Sequence, residues 1–236
     1  MGSGIYTTNT PEACEHVIND SMSQIVVVEN NDQLKKILKI KDNCKYLKSI
    51  VQYTGEVQDS HNGLVISVGI LFLIFLIKNN ASSFKWKSFL ELSSSISDVE
   101  LNGRIKKIAP NKCASLIYTS GTTGSPKAAM LSHDNIYYCA SFCIDLVKMN
   151  DCRERIVSFL PLNHIAGQLC DIYVPVLCGA TVYFAQPDAM KGSLATTLAE
   201  VKPTLFMGVP RVYEKMQDKM IQMSKTGGLK FFIIFI

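Results

Sequence analysis

No apolar run of bilayer length, no signal-peptide pattern and no block of like charge is read in these 236 residues, and each absence argues against a class of protein. The longest apolar run, Leu64 to Ile77 (LVISVGILFLIFLI), is shorter than the ~20 residues a helix needs to cross a bilayer. It reads as a buried or interfacial segment, with a short membrane-inserted stretch as the alternative, because Lys78 could snorkel from its end. The N-terminus has neither the basic region nor the apolar core of a signal peptide, and Tyr6 stands where a myristoylation signal needs Ser or Thr. Lys and Arg number 24 against 20 acidic residues, a net +4 with no basic stripe interleaved with aromatics, so nucleic-acid binding is set aside. Eight cysteines show no framework spacing, and without a leader they read as reduced, mostly buried thiols. With only four histidines, no Cys/His cluster has the spacing of a metal site, and none is expected.

What is present suffices for one substantial core or two small ones: 47% of the residues are hydrophobic. Mean hydropathy is +0.16. The excess sits in the 64–77 run and in the last six residues, FFIIFI. Elsewhere short apolar runs alternate with helical spacing. Strands are expected at Ile25–Val28, Lys48–Tyr53, Ala114–Tyr118, Arg155–Leu160, Thr181–Ala185 and Thr204–Met207. Helices are expected at Pro11–Asn19, Asp32–Ile40, Trp86–Leu92, Ser97–Ile108, from Ser132 or Asp134 through Val147, at Leu169–Leu177, at Leu194–Glu200 and from Pro210 onward. Strand–helix–strand alternation with apolar strands predicts an α/β layered fold whose sheet is covered on both faces. No internal repeat stands out.

The chemistry concentrates in Tyr118-Thr119-Ser120-Gly121-Thr122-Thr123-Gly124-Ser125-Pro126-Lys127, immediately after an apolar strand. The glycines let the backbone turn tightly and aim N–H groups at an anion. The hydroxyls add donors and Lys127 adds positive charge, which together make a phosphate cradle. It is neither a Walker loop nor G-x-G-x-x-G: Pro126 precedes the lysine and Ala128 follows it. A hydroxyl-rich surface turn is the plainer alternative, but the end of a sheet strand is where α/β folds bind ligands. His164, in the Leu160-Pro161-Leu162-Asn163-His164-Ile165-Ala166-Gly167 turn after a strand, is the second candidate. His133, at a helix start, fits a capping or surface role as well as a functional one. No nucleophile-elbow arrangement supports a hydrolase.

These residues resemble a known family. Tyr118 to Lys127 is similar to the signature loop of the adenylate-forming enzymes, a group of acyl-CoA synthetases, luciferases and peptide-synthetase adenylation domains. Gly4 to Asn9 with Pro11 to Cys14, Leu131 to Ile136, Leu160 to Gln168 and Pro203 to Met216 resemble its bubblegum-type branch of long- and very-long-chain acyl-CoA synthetases. The resemblance covers roughly residues 1–60 and 82–225. It implies a layered sheet-and-helix portion of the large N-terminal domain of those enzymes, incomplete. The expected organisation is a partial AMP-binding domain over 1–225, interrupted by an apolar insert at about 61–81, then an atypical tail at 226–236.

The implied substrates are a long-chain or very-long-chain fatty acid, ATP with Mg2+, and coenzyme A. The implied roles give Thr119, Ser120, Gly121, Thr122, Thr123, Gly124, Ser125 and Lys127 to the nucleotide phosphates, with Lys127 a positioning charge rather than a base. His164 is implied at the acyl carboxylate, beside the reaction centre, and Gly208 and Arg211 at the border of the acyl and nucleotide pocket. The implied reaction forms an acyl-adenylate and passes the acyl group to coenzyme A. Departures are equally specific. The family pattern continues Pro-Lys-Gly where this chain has Ala128. The adenine and ribose motifs, the hinge and the C-terminal lid with its lysine have no counterpart here, and neither the 61–81 insert nor the tail has one in the family. A fragment or aberrant splice product, with intron-like read-through at both places, is one expectation; a catalytically inactive chain with residual phosphate binding is the alternative to a working ligase. Location is expected to be cytoplasmic, with attachment to the endoplasmic reticulum or another cytoplasmic-face membrane left open.

Overall fold

The computed structural model describes residues 2–55, 65–66, 82–119, 125–149 and 152–227. Ser120, Gly121, Thr122, Thr123 and Gly124, most of the apolar run at 64–77 and the tail from 228 lie outside the described residues. The chain divides into two compact units, Met1–Tyr138 and Cys139–Ile236.

The first unit is built from two sheets. β1 (Gly2–Ser3) is followed by α1 (Pro11–Asp20), β2 (Ile25–Val28), α2 (Asn31–Leu38) and β3 (Ser49–Gln52). The two-residue β4 (Val65–Ile66) and β5 (Ser82–Lys85) complete a four-stranded, all-parallel sheet in the order β2-β3-β5-β4. Parallel neighbours joined by a helix are what the strand–helix–strand reading of residues 25–52 requires. α1 starts where the sequence allows: Pro11 occupies the first turn and the Thr10 hydroxyl accepts the Ala13 N–H at 3.3 Å. α2 is capped by Asn30, whose Oδ1 accepts from the N–H groups of Asp32 and Gln33. Cys14 and Ile18 of α1, Leu34 and Ile37 of α2, and Val26, Val28 and Ile50 of the strands close one core.

After α3 (Trp86–Glu91) and α4 (Asp98–Ile105) comes the second sheet, β1-β6-β7. β6 (Cys113–Thr119) runs parallel to β1 and antiparallel to β7 (Lys127–Ser132). Leu116 and Tyr118 of β6 pack on Val17 of α1. α5 (His133–Val147) leaves β7 at once through a reciprocal cap, in which the Ser132 hydroxyl accepts the Asn135 N–H and Asn135 Oδ1 accepts the Ser132 N–H, both at 3.1 Å.

The second unit pairs β8 (Arg155–Ser158) with β9 (Thr181–Phe184) in parallel. Between them α6 (Ile165–Gln168) passes through a π-turn, Leu169–Tyr173, into α7 (Val174–Cys178). α8 (Leu194–Val201) and α9 (Pro210–Gly227) follow. Val157, Ala189, Leu194 and Val212 form its core with Phe159, Leu198, Phe206 and Met216 packed around them.

Two expectations are corrected and one element is added. Lys127–Ser132 is a strand that the residue pattern did not announce, because β6 supplies a pairing edge. Thr204–Met207 is not a strand: only Leu205 bridges to Ile156, since the Thr204 N–H and hydroxyl are committed to Arg155 and Glu154. The sheets are not covered on both faces throughout. β3 and β8 are buried along most of their length, but the edge strand β2 alternates, with Ile25 and Val27 about half exposed (50% and 51%), and Phe184 on β9 is 73% exposed. Ile50 is fully buried between paired strands β2 and β5, so Ile50→Ala leaves a cavity that neither neighbour can close. It should lower stability by about 3 kcal/mol in urea denaturation.

Candidate functional site

β6 leaves the core at Thr119, and the chain returns at Lys127 directly opposite it in the antiparallel register. Residues opposite each other in such a pair project from the same face. A hydroxyl and an ammonium are thereby brought together at the mouth of the 120–126 loop. Ser125 and Lys127 are exposed and Pro126 is half-buried. Ala128, where the resemblance expects glycine, sits in β7 opposite Tyr118 with its side chain against the Val17–Leu116–Tyr118 cluster. Its backbone is not left-handed, so the strand has no need of glycine there.

Two residues that sequence reasoning passed over hold this hairpin. His16 Nε2 lies 2.8 Å from the Pro126 carbonyl, and the Tyr118 hydroxyl donates to Asp20 Oδ2 at 2.7 Å. Burial, reinforced by the Asp20 carboxylate, pushes the Tyr118 hydroxyl well above the usual tyrosine range. Only the helix start at Pro11 was visible in the sequence; the partners of His16 and Asp20 lie about a hundred residues away.

In the second unit His164 caps α6. Its Nδ1 accepts the Ala166 N–H at 3.2 Å, which in the neutral ring leaves the proton on Nε2 as an exposed donor. The turn is tight: the His164 N–H donates to Pro161 O, and the Gln168 amide donates to Leu162 O at 2.8 Å. A Cβ on Gly167 would stand 2.6 Å from Pro161 O, so only glycine lets the helix approach its own turn this closely. The π-turn buries Asp171, which accepts from Ser158 at the end of β8; Asp171 Oδ2 has no partner among the described residues, and burial raises the carboxyl's pKa. Cys170 donates its thiol to Met207 Sδ at 3.1 Å, which brings the His164 helix alongside the Met207–Gly208 segment. Gly208 sits among aromatic rings, where a Cβ would lie 3.3 Å from both Phe206 and Tyr213. Phe159 stacks on Phe206, and Tyr213 meets Phe206 edge-on. Arg211 is exposed in the first turn of α9. No hydrogen bond joins His164 to Gly208 or Arg211.

The sequence-predicted residues therefore fall into two groups, Thr119, Ser125 and Lys127 in one unit and His164, Gly208 and Arg211 in the other. Among the described residues no group of three or more His, Cys, Asp or Glu could hold a metal ion, and no helix is long and apolar enough to cross a membrane. All eight cysteines are free thiols.

The architecture is the mixed α/β fold of the N-terminal adenylation domain of acyl-adenylate-forming enzymes, and the chain spans about a third of the solved proteins that share it. The A-PCP didomain of carboxylic acid reductase from Segniliparus rugosus, solved in complex with AMP, superposes with a TM-score of 0.68 at 16% identity, covering 97% of this chain and 31% of that one. ATP-bound MatB from Rhodopseudomonas palustris gives 0.56 at 19% identity, covering 90% and 35%. A family model described as AMP-binding enzyme matches residues 2–234, and the chain belongs to that family. Curated relatives include proteins of the bubblegum-type branch. Long-chain-fatty-acid–CoA ligase ACSBG2 of Xenopus laevis is 47% identical over 220 residues, covering 92% of this chain and 27% of that protein. Human ACSBG2 is 44% identical, covering 96% and 31%, and human ACSBG1 is 38% identical, covering 96% and 29%. The chain thus spans under a third of each.

Two substitutions probe these geometries. Tyr118→Phe removes the hydroxyl bonded to Asp20 and should cost about 1 kcal/mol near neutral pH. Because the folded-state pKa is raised, Tyr118 is protonated in both states below about pH 10 and adds no slope there. Above that the unfolded chain ionises first, so the wild type loses stability that Tyr118→Phe does not lose. Denaturant titrations from pH 8 to 11 should show the two proteins converging. Gly167→Ala forces a Cβ onto Pro161 O and should lower the thermal midpoint by several degrees, whereas Ala166→Gly, next to it, should cost far less.

Proposed function

We propose that this chain carries the nucleotide-phosphate loop and the carboxylate-facing turn of an ATP-dependent fatty acid–CoA ligase. In that reaction a fatty carboxylate attacks the α-phosphorus of ATP, releasing pyrophosphate, and the thiol of coenzyme A then displaces AMP from the acyl-adenylate. The observation that carries the reading is the Thr119–Lys127 pair, held opposite each other at the mouth of a hydroxyl- and glycine-rich loop in a chain of the AMP-binding family.

The residues fit the substrates. Ser125 and Thr119 hydroxyls donate to phosphate oxygens, and Lys127 adds a full charge that compensates the triphosphate as negative charge builds on the leaving pyrophosphate. Mg2+ fits as the partner of the nucleotide phosphates, arriving with ATP. His164, its Nδ1 occupied by the helix cap, offers an Nε2–H donor that orients the fatty carboxylate for attack. The aromatic cluster around Gly208 forms an apolar border suited to the acyl chain, and Arg211 adds a charge beside it. Coenzyme A is carried over from the family reaction alone.

A second reading is a chain that binds nucleotide phosphates without completing the reaction. The chain covers 27% of the Xenopus laevis relative and 31% of the human one. Adenylation needs all reacting groups held in one orientation, which a partial site forfeits. Calorimetry with MgATP should detect weak binding that Lys127→Ala reduces about tenfold. Fatty-acid-dependent pyrophosphate–ATP exchange by the 236-residue protein should stay at background. Robust exchange would establish the first reading outright, and absence of any MgATP binding would sink both.

A further inference from the structure

We infer that α1 is the positioning element of the Thr119–Lys127 pair, with His16 gripping the outgoing leg of the hairpin and Asp20 the incoming one. The inference rests on the reading of 119–127 as the phosphate loop and deepens it. His16 and Asp20 are one helical turn apart on α1, so their side chains emerge from the same flank. They reach opposite legs of one hairpin: His16 Nε2 to the Pro126 carbonyl at 2.8 Å, the residue before Lys127, and Asp20 Oδ2 to the Tyr118 hydroxyl at 2.7 Å, the residue before Thr119. The two contacts thus act on the residues immediately preceding the register pair.

The chemistry of each contact suits a clamp. A carbonyl only accepts, so His16 donates from Nε2. Proline has no N–H, so its carbonyl is the only backbone handle at that position, and its fixed φ makes it a stiff place to hold. Tyr118 donates to an acceptor-only carboxylate, and its hydroxyl stays protonated because burial opposes ionisation. α1 itself is a fixed reference. Cys14, Val17 and Ile18 are buried in two cores, Val17 touches Leu116 and Tyr118, and Thr10 closes the helix start.

β7, by contrast, pairs among the described residues with β6 on one side only, and Met130 is 74% exposed. A lysine opening such an edge strand needs an external hold if it is to meet a phosphate with its direction already set, and pre-set direction is what lowers the cost of binding.

The test uses the full 236-residue chain with His16→Ala, His16→Gln and Tyr118→Phe. Readouts are hydrogen exchange of the Lys127–Leu131 amides without ligand, the MgATP dissociation constant, and the thermal midpoint. His16→Ala should speed exchange in Lys127–Leu131 about tenfold, leave β2 and β3 amides unchanged, and weaken MgATP five- to tenfold. Glutamine places an amide N–H near the position of Nε2, so His16→Gln should restore both. Tyr118→Phe, which keeps the ring in the core, should reproduce the effect at Thr119 should His16→Ala prove unfolded. Unchanged exchange in both variants overturns the clamp whatever the nucleotide does. Exchange that rises equally in β2 and β3, with no rescue by glutamine, overturns it as well, since that is general loosening. Local acceleration rescued by glutamine, in a wild type that itself fails to bind MgATP, upholds the clamp and overturns the phosphate reading of the loop.

Discussion

Antiparallel pairing of β6 with β7 is the constraint from which the rest of the first unit follows. It alone decides that Thr119 stands opposite Lys127, and hence that a hydroxyl and an ammonium share one face at the loop mouth. A slip of one residue would turn the lysine to the other face, so the register must be fixed from outside the loop. Three features fix it: the parallel β1 on the far side of β6, the apolar contact of Val17 with Leu116 and Tyr118, and the paired hydrogen bonds from α1. The remaining parallel sheet serves this arrangement indirectly, because α1 is seated by Cys14 and Ile18 in the core that β2 and β3 create.

The second unit solves a different problem, the approach of a short helix to its own preceding turn. Gly167 permits a backbone contact that no other residue allows, and His164 spends one ring nitrogen on capping the helix so that the other faces outward with a fixed tautomer. The π-turn that follows rotates Asp171 inward against Ser158 and sets Cys170 on Met207. π-turns of this kind often mark functional segments, and here one joins the histidine turn to the segment leading into Gly208.

Much of this was legible from residue pattern alone. The apolar runs at Ile25–Val28 and Ala114–Tyr118, Pro11 at a helix start and the cap at Ser132 announced their elements because local chemistry and final environment agree at those positions. β7 was invisible, since Lys-Ala-Ala-Met has no strand preference of its own and takes the conformation from its partner. Thr204–Met207 misled in the opposite direction: its composition suits a strand, but side-chain hydrogen bonds at Thr204 divert it after one bridge. The hydroxyl-rich loop and His164 stood out because their residue types are chemically unusual in sequence. His16 and Asp20 did not, because what makes them notable is a partner, not a neighbour. The apolar excess was assigned to the 64–77 run and the tail, yet Val99 and Val176, both outside them, are also largely exposed.

The two contacts from α1 span 110 and 98 residues of chain. Contacts of such long range form only after a large loop has been closed, and they set the pace of folding more than local structure does. During synthesis α1 and the parallel strands β2 and β3 can associate as soon as they emerge. The contacts of α1 with the hairpin that carries Lys127 have to wait for residues made about a hundred positions later. The seating of the β6–β7 hairpin on α1 therefore follows the assembly of its scaffold, and a nascent protein halted short of residue 126 would have α1 in place with the His16 contact unmade.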